Sequence, residues 1–374
     1  MNIDEPCETT EDNVEKEDVG DSKITAPYDP DTIKVNQQNT NLGFLIEMLQ
    51  EGEIDLMPDF QRSGNLWSKI QKSQLIESLL LGLPLPSFYF SEDEKSKKWL
   101  VVDGLQRLCT FNDFIINNKF KLSGLEFLNK EDYEGKTYNE LTRADKRKIS
   151  GTKINFYVIE KQTPPAVKFI LFKRVNTGGL VLNPQEIRHA LNQGIPATFI
   201  KELAELEEFK RYKISSERME DREFVNRFVA FSLLGCEKYS GEMEKFLSDG
   251  IIELKNTSES KRAQIKEAFR KSMKLSYEIF GDDAFKMRFN SEIAYPDIFK
   301  ELFDTISVNI AWLSDEQQNL LLNKKADVLS EFTKITTDDK EFIFDIVAEI
   351  YDEHAVKRVF EKIKNLLKKL LESS

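Results

Sequence analysis

The chain has 374 residues, 40% hydrophobic and 32% charged, a balance that supports a soluble core and leaves no run near the ~20 apolar residues of a membrane helix. Its formal net charge of −12 is uneven, because residues 1–30 hold ten acidic residues and two lysines and so carry −8 of it. The remainder is nearly balanced, which neither demands nor excludes a local basic patch for nucleic acid.

Residues 1–33 read as a disordered acidic arm, poor in apolar residues and rich in like charges. They are acidic where a signal peptide would be basic and then apolar, so a cytoplasmic protein is expected. A folded region mixing strands and helices is expected from 34 to 195. Within it Asn41–Leu49 reads as a short helix, and Asp55–Pro58 leads into a loop carrying Asp59-Phe60-Gln61-Arg62. Ser68 followed by Gln71 has capping-box spacing and opens a helix through Leu75, Ile76, Leu79 and Leu80, with Gly82 as its stop. Ser87–Phe90, Trp99–Val102 and Lys153–Glu160 read as strands. Thr163 before Pro164-Pro165 is expected to cap a helix that ends at Gly178-Gly179. Asn183-Pro184-Gln185-Glu186 opens another, expected to end near Gly194. From 196 to 374 apolar residues recur at three- and four-residue spacing, notably in 223–235, 262–280, 296–313, 315–333, 340–351 and 354–371. The expected class is therefore α+β: a small mixed α/β N-terminal domain followed by an all-helical C-terminal domain.

The chemistry concentrates where Trp99–Val102 would run through Asp103-Gly104 into a helix bearing Gln106 and Arg107. A helix start offers free backbone N–H groups and the positive dipole end, so anions bind there. Gly104 allows close approach of a phosphate, Arg107 can grip phosphate oxygens, and Asp103 can serve as a hard ligand for Mg²⁺ or orient a water. Local structure alone also accounts for these residues, with Asp103 as a cap and Arg107 as an ion-pair partner. Three further segments are polar and lie at loops or helix ends: Gln61-Arg62, Arg174-Asn176 before Gly178-Gly179, and Gln185–Arg188. Basic clusters at Arg143–Lys148, Lys210–Lys213 and Lys357–Lys369 are available for phosphate contacts, although a solvated helix face also explains them and is the favoured reading for the last cluster.

In order, PDFQR, QLIESLLLGLPLP, VVDGLQRL, FKRVNTGG, LNPQEIRHAL and the later RMEDREFVNRF resemble the DGQQR-motif family, domain of unknown function 262. That family forms the N-terminal part of GmrSD-type modification-dependent restriction systems and is similar to the ParB/sulfiredoxin fold. The resemblance spans roughly residues 40–235. It implies nucleotide binding or hydrolysis in defence against phage or foreign DNA. It assigns catalysis to Asp103, Gln106 and Arg107, and nucleotide contacts to Gly104, Gln61, Arg62, Arg174 and Asn176, with an NTP and Mg²⁺ at Asp103. Leu105 stands where the family has its first Gln and Cys109 where it has Thr, so binding is expected ahead of hydrolysis. Cys109 lies on an apolar helix face without an adjacent His or Lys and reads as a buried structural thiol.

Cys7, Cys109 and Cys236 form no CxxC pair, which fits a reducing compartment, and His189 and His354 lie far apart. No zinc-ligand spacing and no His-Asn-His nuclease motif is present. Any DNA cleavage is thus expected to come from a partner, with a separate nuclease or ATPase subunit as the candidate, or from a site without a recognisable motif. The competing expectations are a DNA-binding sensor without catalysis and a protein-interaction regulatory subunit.

Overall fold

A computed structural model describes residues 34–56, 67–92, 98–175, 183–288, 294–348 and 351–372. The acidic arm, Gln61, Arg62, Asn176 and the glycine pair Gly178-Gly179 lie outside the described residues. The architecture is mixed: a five-stranded sheet in the N-terminal part and a mostly helical C-terminal part.

Strand β1 (Val35–Asn41) has almost no buried side chain, and its polar sequence VNQQNTN lacks the alternation that would announce it. It is an edge strand held by its ladder, pairing antiparallel with Lys153–Ile159 over its whole length. Asn41 then caps helix α1 (Leu42–Gln50) by accepting the Phe44 N–H at 3.0 Å. After the short strand β2 (Ile54–Asp55) comes helix α2 (Lys69–Leu81). Both arms of its Ser68–Gln71 capping box are formed, and Gly82 closes it at φ 78°, as the spacing requires.

Strands β3 (Phe88–Glu92) and β4 (Trp99–Asp103) pair antiparallel and lead into helix α3 (Leu105–Phe111), which a π-helical turn continues over Asn112–Ile116. Helices α4 (Lys130–Tyr133) and α5 (Arg143–Gly151) precede strand β5 (Lys153–Ile159). The sheet order is β1-β5-β3-β4-β2, with β5–β3 and β4–β2 parallel. One face buries Phe88, Phe90, Val101, Ile154 and Phe156 against α1, α2 and α3. The other buries Leu100, Val102 and Ile159 against Phe172 of α6 (Pro165–Val175) and Ile187 and Ala190 of α7 (Pro184–Leu191).

Two helix boundaries differ from expectation. Lys168 N–H bonds the Pro164 carbonyl, so Pro164 caps α6; the Thr163 hydroxyl instead faces the Lys34 backbone, at 3.2 and 3.3 Å from its nitrogen and oxygen. Thr163 is thus diverted from its own helix to tie down the start of the edge strand. Gly194, at φ 86°, opens helix α8 (Ile195–Ala204) instead of closing α7, which ends at Leu191.

Helices follow for the rest of the described chain. Helix α9 is Glu207–Lys210, α10 is Glu220–Leu234, α11 is Met243–Asn256, α12 is Glu259–Phe280 and α13 is Lys300–Ala311. The segment expected as one helix over 315–333 is two, α14 (Asp315–Asn323) and α15 (Lys325–Thr337), broken at Lys324. Helices α16 (Lys340–Val347) and α17 (Glu353–Glu372) complete it. Helix α10 is the common wall: Phe224, Val225, Phe228 and Val229 face one core, and Ala230 and Phe231 another. At Gly250 a Cβ would lie 2.5 Å from the Ala230 Cβ, so α11 approaches α10 as closely as backbones allow.

Inside these helices Arg227 meets Asp304 through two parallel contacts, Nε to Oδ1 at 3.0 Å and Nη2 to Oδ2 at 2.6 Å, with both side chains almost wholly buried. Removing one partner strands a charge, whereas removing both does not. Arg227→Met should lower the unfolding free energy by about 3–5 kcal/mol. The double variant Arg227→Met/Asp304→Leu should recover much of that loss, as read by urea denaturation of all three proteins.

Candidate functional site

The Asp103 turn is built by the sheet beneath it. The β3–β4 register shifts between Tyr89 and Phe90, so Phe90 faces Val101 but Tyr89 faces Asp103. Such a bulge re-aims the last side chain of a strand. Gly104 follows at φ 99°, and a Cβ on it would sit 2.4 Å from Phe88 Cδ1. Both conformation and space therefore demand glycine.

Arg107 folds back from the first turn of α3. Its Nη2 donates to Asp103 Oδ2 at 2.9 Å and to the Ser87 carbonyl at 3.1 Å, and its Nη1 donates to the Pro86 carbonyl. Its guanidinium carbon lies 4.3 Å from the centroid of the Phe88 ring. Only 8% of the residue is exposed, so this arginine is committed to the interior. Asp103 is the more open partner, its side chain 27% exposed. Burial raises its carboxyl pKa above the usual range, while the Arg107 charge and the Gly104 N–H pull the other way.

Around this pair Gln106 is half-buried in the first helical turn, and Leu105 packs against the apolar clusters on both faces of the sheet. Leu105 thereby fills the joint between the strand end and the helix start. Cys109 is buried, and desolvation first, with the Asp113 charge second, pushes its thiol up to about 11. That is the inert structural thiol expected from its place on the apolar face.

The sequence reading did not include Tyr89 and Tyr157. Their rings stack at 4.8 Å, in register across the parallel β3–β5 pair, beside Asp103. Burial, then Tyr157, then Asp103 raise the Tyr89 hydroxyl pKa. Only the strand pairing, which residue spacing does not encode, could have brought them forward.

The Asn183–Arg188 segment resolves differently. Asn183 and Glu186 form the expected capping box, and Glu186 also takes Arg218 through Nε at 3.2 Å and Nη2 at 2.8 Å. Asn183 Nδ2 donates to the Arg218 carbonyl at 2.6 Å, fixing Arg218 and Met219 at φ 54° and 61°. Gln185 Oε1 accepts from Arg188 Nε at 3.0 Å and Asn226 Nδ2 at 3.4 Å, and Arg188 pairs with Glu244. These motif residues join α7 to α10 and α11. Arg174 is exposed on the last turn of α6 and forms no ion pair among the described residues. Among the described residues no group of three or more His, Cys, Asp or Glu is placed to hold a metal ion. The described residues thus offer no multi-carboxylate cage for a divalent cation, and at this turn Asp103 is the single carboxylate, already paired with Arg107.

Residues 45–193 match the family model described as GmrSD restriction endonuclease, N-terminal domain. The matched part is less than half of the chain and contains the Asp103 turn and the α7 segment. No curated protein and no solved structure matches.

Gly104→Ala should destabilise the fold, since the left-handed backbone costs Ala about 1–2 kcal/mol and overpacking against Phe88 about 1–3 kcal/mol more. A midpoint in urea unchanged from wild type would contradict this account of the turn. In a Cys7→Ser background, iodoacetamide at pH 8 should modify Cys236 but not Cys109 until the protein is unfolded, as mass mapping would record.

Proposed function

We propose that the chain is a nucleotide-binding component of a bacterial restriction or anti-phage defence system, acting on or sensing DNA, with the Asp103–Arg107 turn as its nucleotide site. The family-model match over residues 45–193 supports the system. The observation that carries the site is the turn itself: a glycine joint with no room for a side chain, an aspartate at its mouth, and an arginine behind it that fixes both. The N–H groups of Leu105, Gln106 and Arg107 open α3, whose N-cap Gly104 supplies no side-chain acceptor. In this reading they receive phosphate oxygens, and Asp103 supplies one ligand to a phosphate-bound Mg²⁺. The bound Mg²⁺ supplies charge neutralisation between phosphate oxygens. Gln106 contributes its amide, and Arg107 is a positioning residue. Gln61, Arg62, Arg174 and Asn176 complete the nucleotide contacts from neighbouring segments.

Hydrolysis needs a group to orient water, and Leu105 withdraws one amide from the turn, so binding and signalling dominate turnover. The sheet-bearing part to about residue 195 would be the ligand-handling domain, and the helices from 196 the relay to a nuclease or ATPase partner. A second reading, a DNA-binding sensor without nucleotide chemistry, is favoured by a lysine-lined hollow at Lys69, Lys119 and Lys121.

Titration of fluorescent ATP, GTP, CTP and UTP analogues with Mg²⁺ tests the first reading. Wild type should bind at least one, and Asp103→Asn, assayed well below the lower melting temperature that loss of the Arg107 counter-charge brings, should weaken Mg²⁺-dependent binding at least about ten-fold, roughly 1.4 kcal/mol. Wild type that binds none of the four overturns it, and DNA binding that survives Asp103→Ala then supports the second.

A further inference from the structure

The helix that follows the Asp103 turn carries different chemistry at its far end. There the π turn Asn112–Ile116 delivers Asp113 to two lysines, Lys72 at 2.9 Å and Lys119 at 3.1 Å. Just beyond it an open hollow of about 400 Å³ is lined by Lys69, Asn118, Lys119, Phe120, Lys121 and Thr137. Three of these six side chains are cationic and none is acidic. Asp113 already accepts Lys119, while Lys69 and Lys121 are exposed and form no ion pair with any described residue. At the edge the Glu140 carboxylate accepts the Thr137 N–H and hydroxyl, both at 2.8 Å, and the Lys121 and Lys136 charges act on it without an ion pair.

The floor is rigid and aromatic. Phe120 packs on Phe114 at 5.0 Å between ring centroids, and Lys72 lies 5.9 Å from the Phe120 ring centre. The rim continues onto α5. Asn118 Oδ1 accepts the Asn139 N–H at 3.1 Å, and Lys146 Nζ donates to the Asn139 carbonyl at 2.9 Å while lying 5.5 Å from the Tyr138 ring centre. Arg143, Arg147 and Lys148 follow on the same helix, all exposed. Of the basic cluster at 143–148, Lys146 thus reaches the rim through Asn139.

We propose that this hollow seats phosphates of a nucleic-acid backbone, with Lys69 and Lys121, which no described ion pair holds, as the two cations that take them. Lysines are point charges without the planar fork that reads a base edge or clamps one phosphate, so this is a positioning contact, insensitive to sequence. An open hollow with a cationic rim suits a polyanion that runs past it, whereas an enclosed pocket would suit a free nucleotide. The site lies at the opposite end of the Asp103 helix, about 18 Å away at 1.5 Å per residue. It does not depend on nucleotide binding at Asp103.

The test is fluorescence anisotropy of the full chain with a labelled 25-base-pair duplex, without nucleotide, between 50 and 300 mM NaCl. Lys69→Gln/Lys121→Gln should weaken binding at least ten-fold at 150 mM and reduce the slope of log K against log salt by about 2, each phosphate contact contributing about 0.9. Lys364→Gln/Lys368→Gln, on the exposed face of α17, should leave both unchanged. Thermal melts check folding of both variants, and Lys72 and Lys119 stay in place because they hold Asp113. An unaltered slope in the first variant, or an equal loss in the second, overturns the proposal. So does wild type that binds tripolyphosphate or poly-glutamate but no duplex, which would assign the hollow to a small anion or an acidic protein. Asp103→Asn should leave the salt slope unchanged, which separates this outcome from the fate of the nucleotide site.

Discussion

One desolvated guanidinium organises the N-terminal part. Arg107 is taken almost wholly out of water, and that transfer is tolerable only because two carbonyls, one carboxylate and one ring face receive it. Those partners come from three places: the Pro86-Ser87 entry to β3, the last residue of β4, and Phe88. The arginine therefore cross-links the beginning of one strand, the end of its neighbour and the helix that follows. A lysine could not do the same, because a single ammonium lacks the planar spread that serves two carbonyls and a carboxylate at once. Gly104 is a consequence of this arrangement. The Phe88 ring that supports the guanidinium occupies the space a Cβ would need.

The same constraint separates the roles of two residues that a motif presents as equals. Arg107 faces inward, and Asp103 keeps an open edge at the mouth of the turn. Any ligand there meets the carboxylate and backbone first and the arginine only through them. A comparable division holds at α7, where Gln185, Glu186 and Arg188 are consumed in joining helices. Glu186 caps its own helix and holds Arg218, and Arg188 reaches Glu244 on α11. Polar residues in these segments are thus first explained by the contacts that make the fold, and what remains open after those contacts is the candidate for chemistry.

Legibility in the sequence followed the range of the interaction. Helix α2 was readable from Ser68, Gln71 and Gly82 because each signal acts within one turn. Strands β3, β4 and β5 were readable from their apolar content, and the α+β class followed from them. Strand β1 was not, because its stability lies in hydrogen bonds to β5 and not in any burial its own polar residues could announce. Thr163 had the local form of a cap, yet a contact 129 residues away claimed its hydroxyl. Asp103 was located by its turn, but its tyrosine neighbours depend on strand register, and the hollow at Lys69 and Lys121 depends on a loop returning beside a helix start.

The π turn explains why that return succeeds. One extra residue in a helical turn rotates everything after it by about 100° relative to an uninterrupted helix. Here the rotation precedes Lys119 and Phe120, and after it one meets the Asp113 carboxylate and the other packs on Phe114. Asp113 then holds Lys72 of the α2–α3 interface and Lys119 of the following loop, and burial of its carboxylate is outweighed by those two ammonium groups, which keep it ionised. The helix C-terminus, negative by its dipole, further favours cations there. Structure thus accounts for two of the four lysines in this corner. Lys69 and Lys121 form no ion pair with the Asp113 carboxylate or another described acid, although Lys121 helps to hold Glu140 ionised, and both line the same hollow. A polyanion would pair with them, which makes their charge the property of this corner that folding alone leaves unexplained.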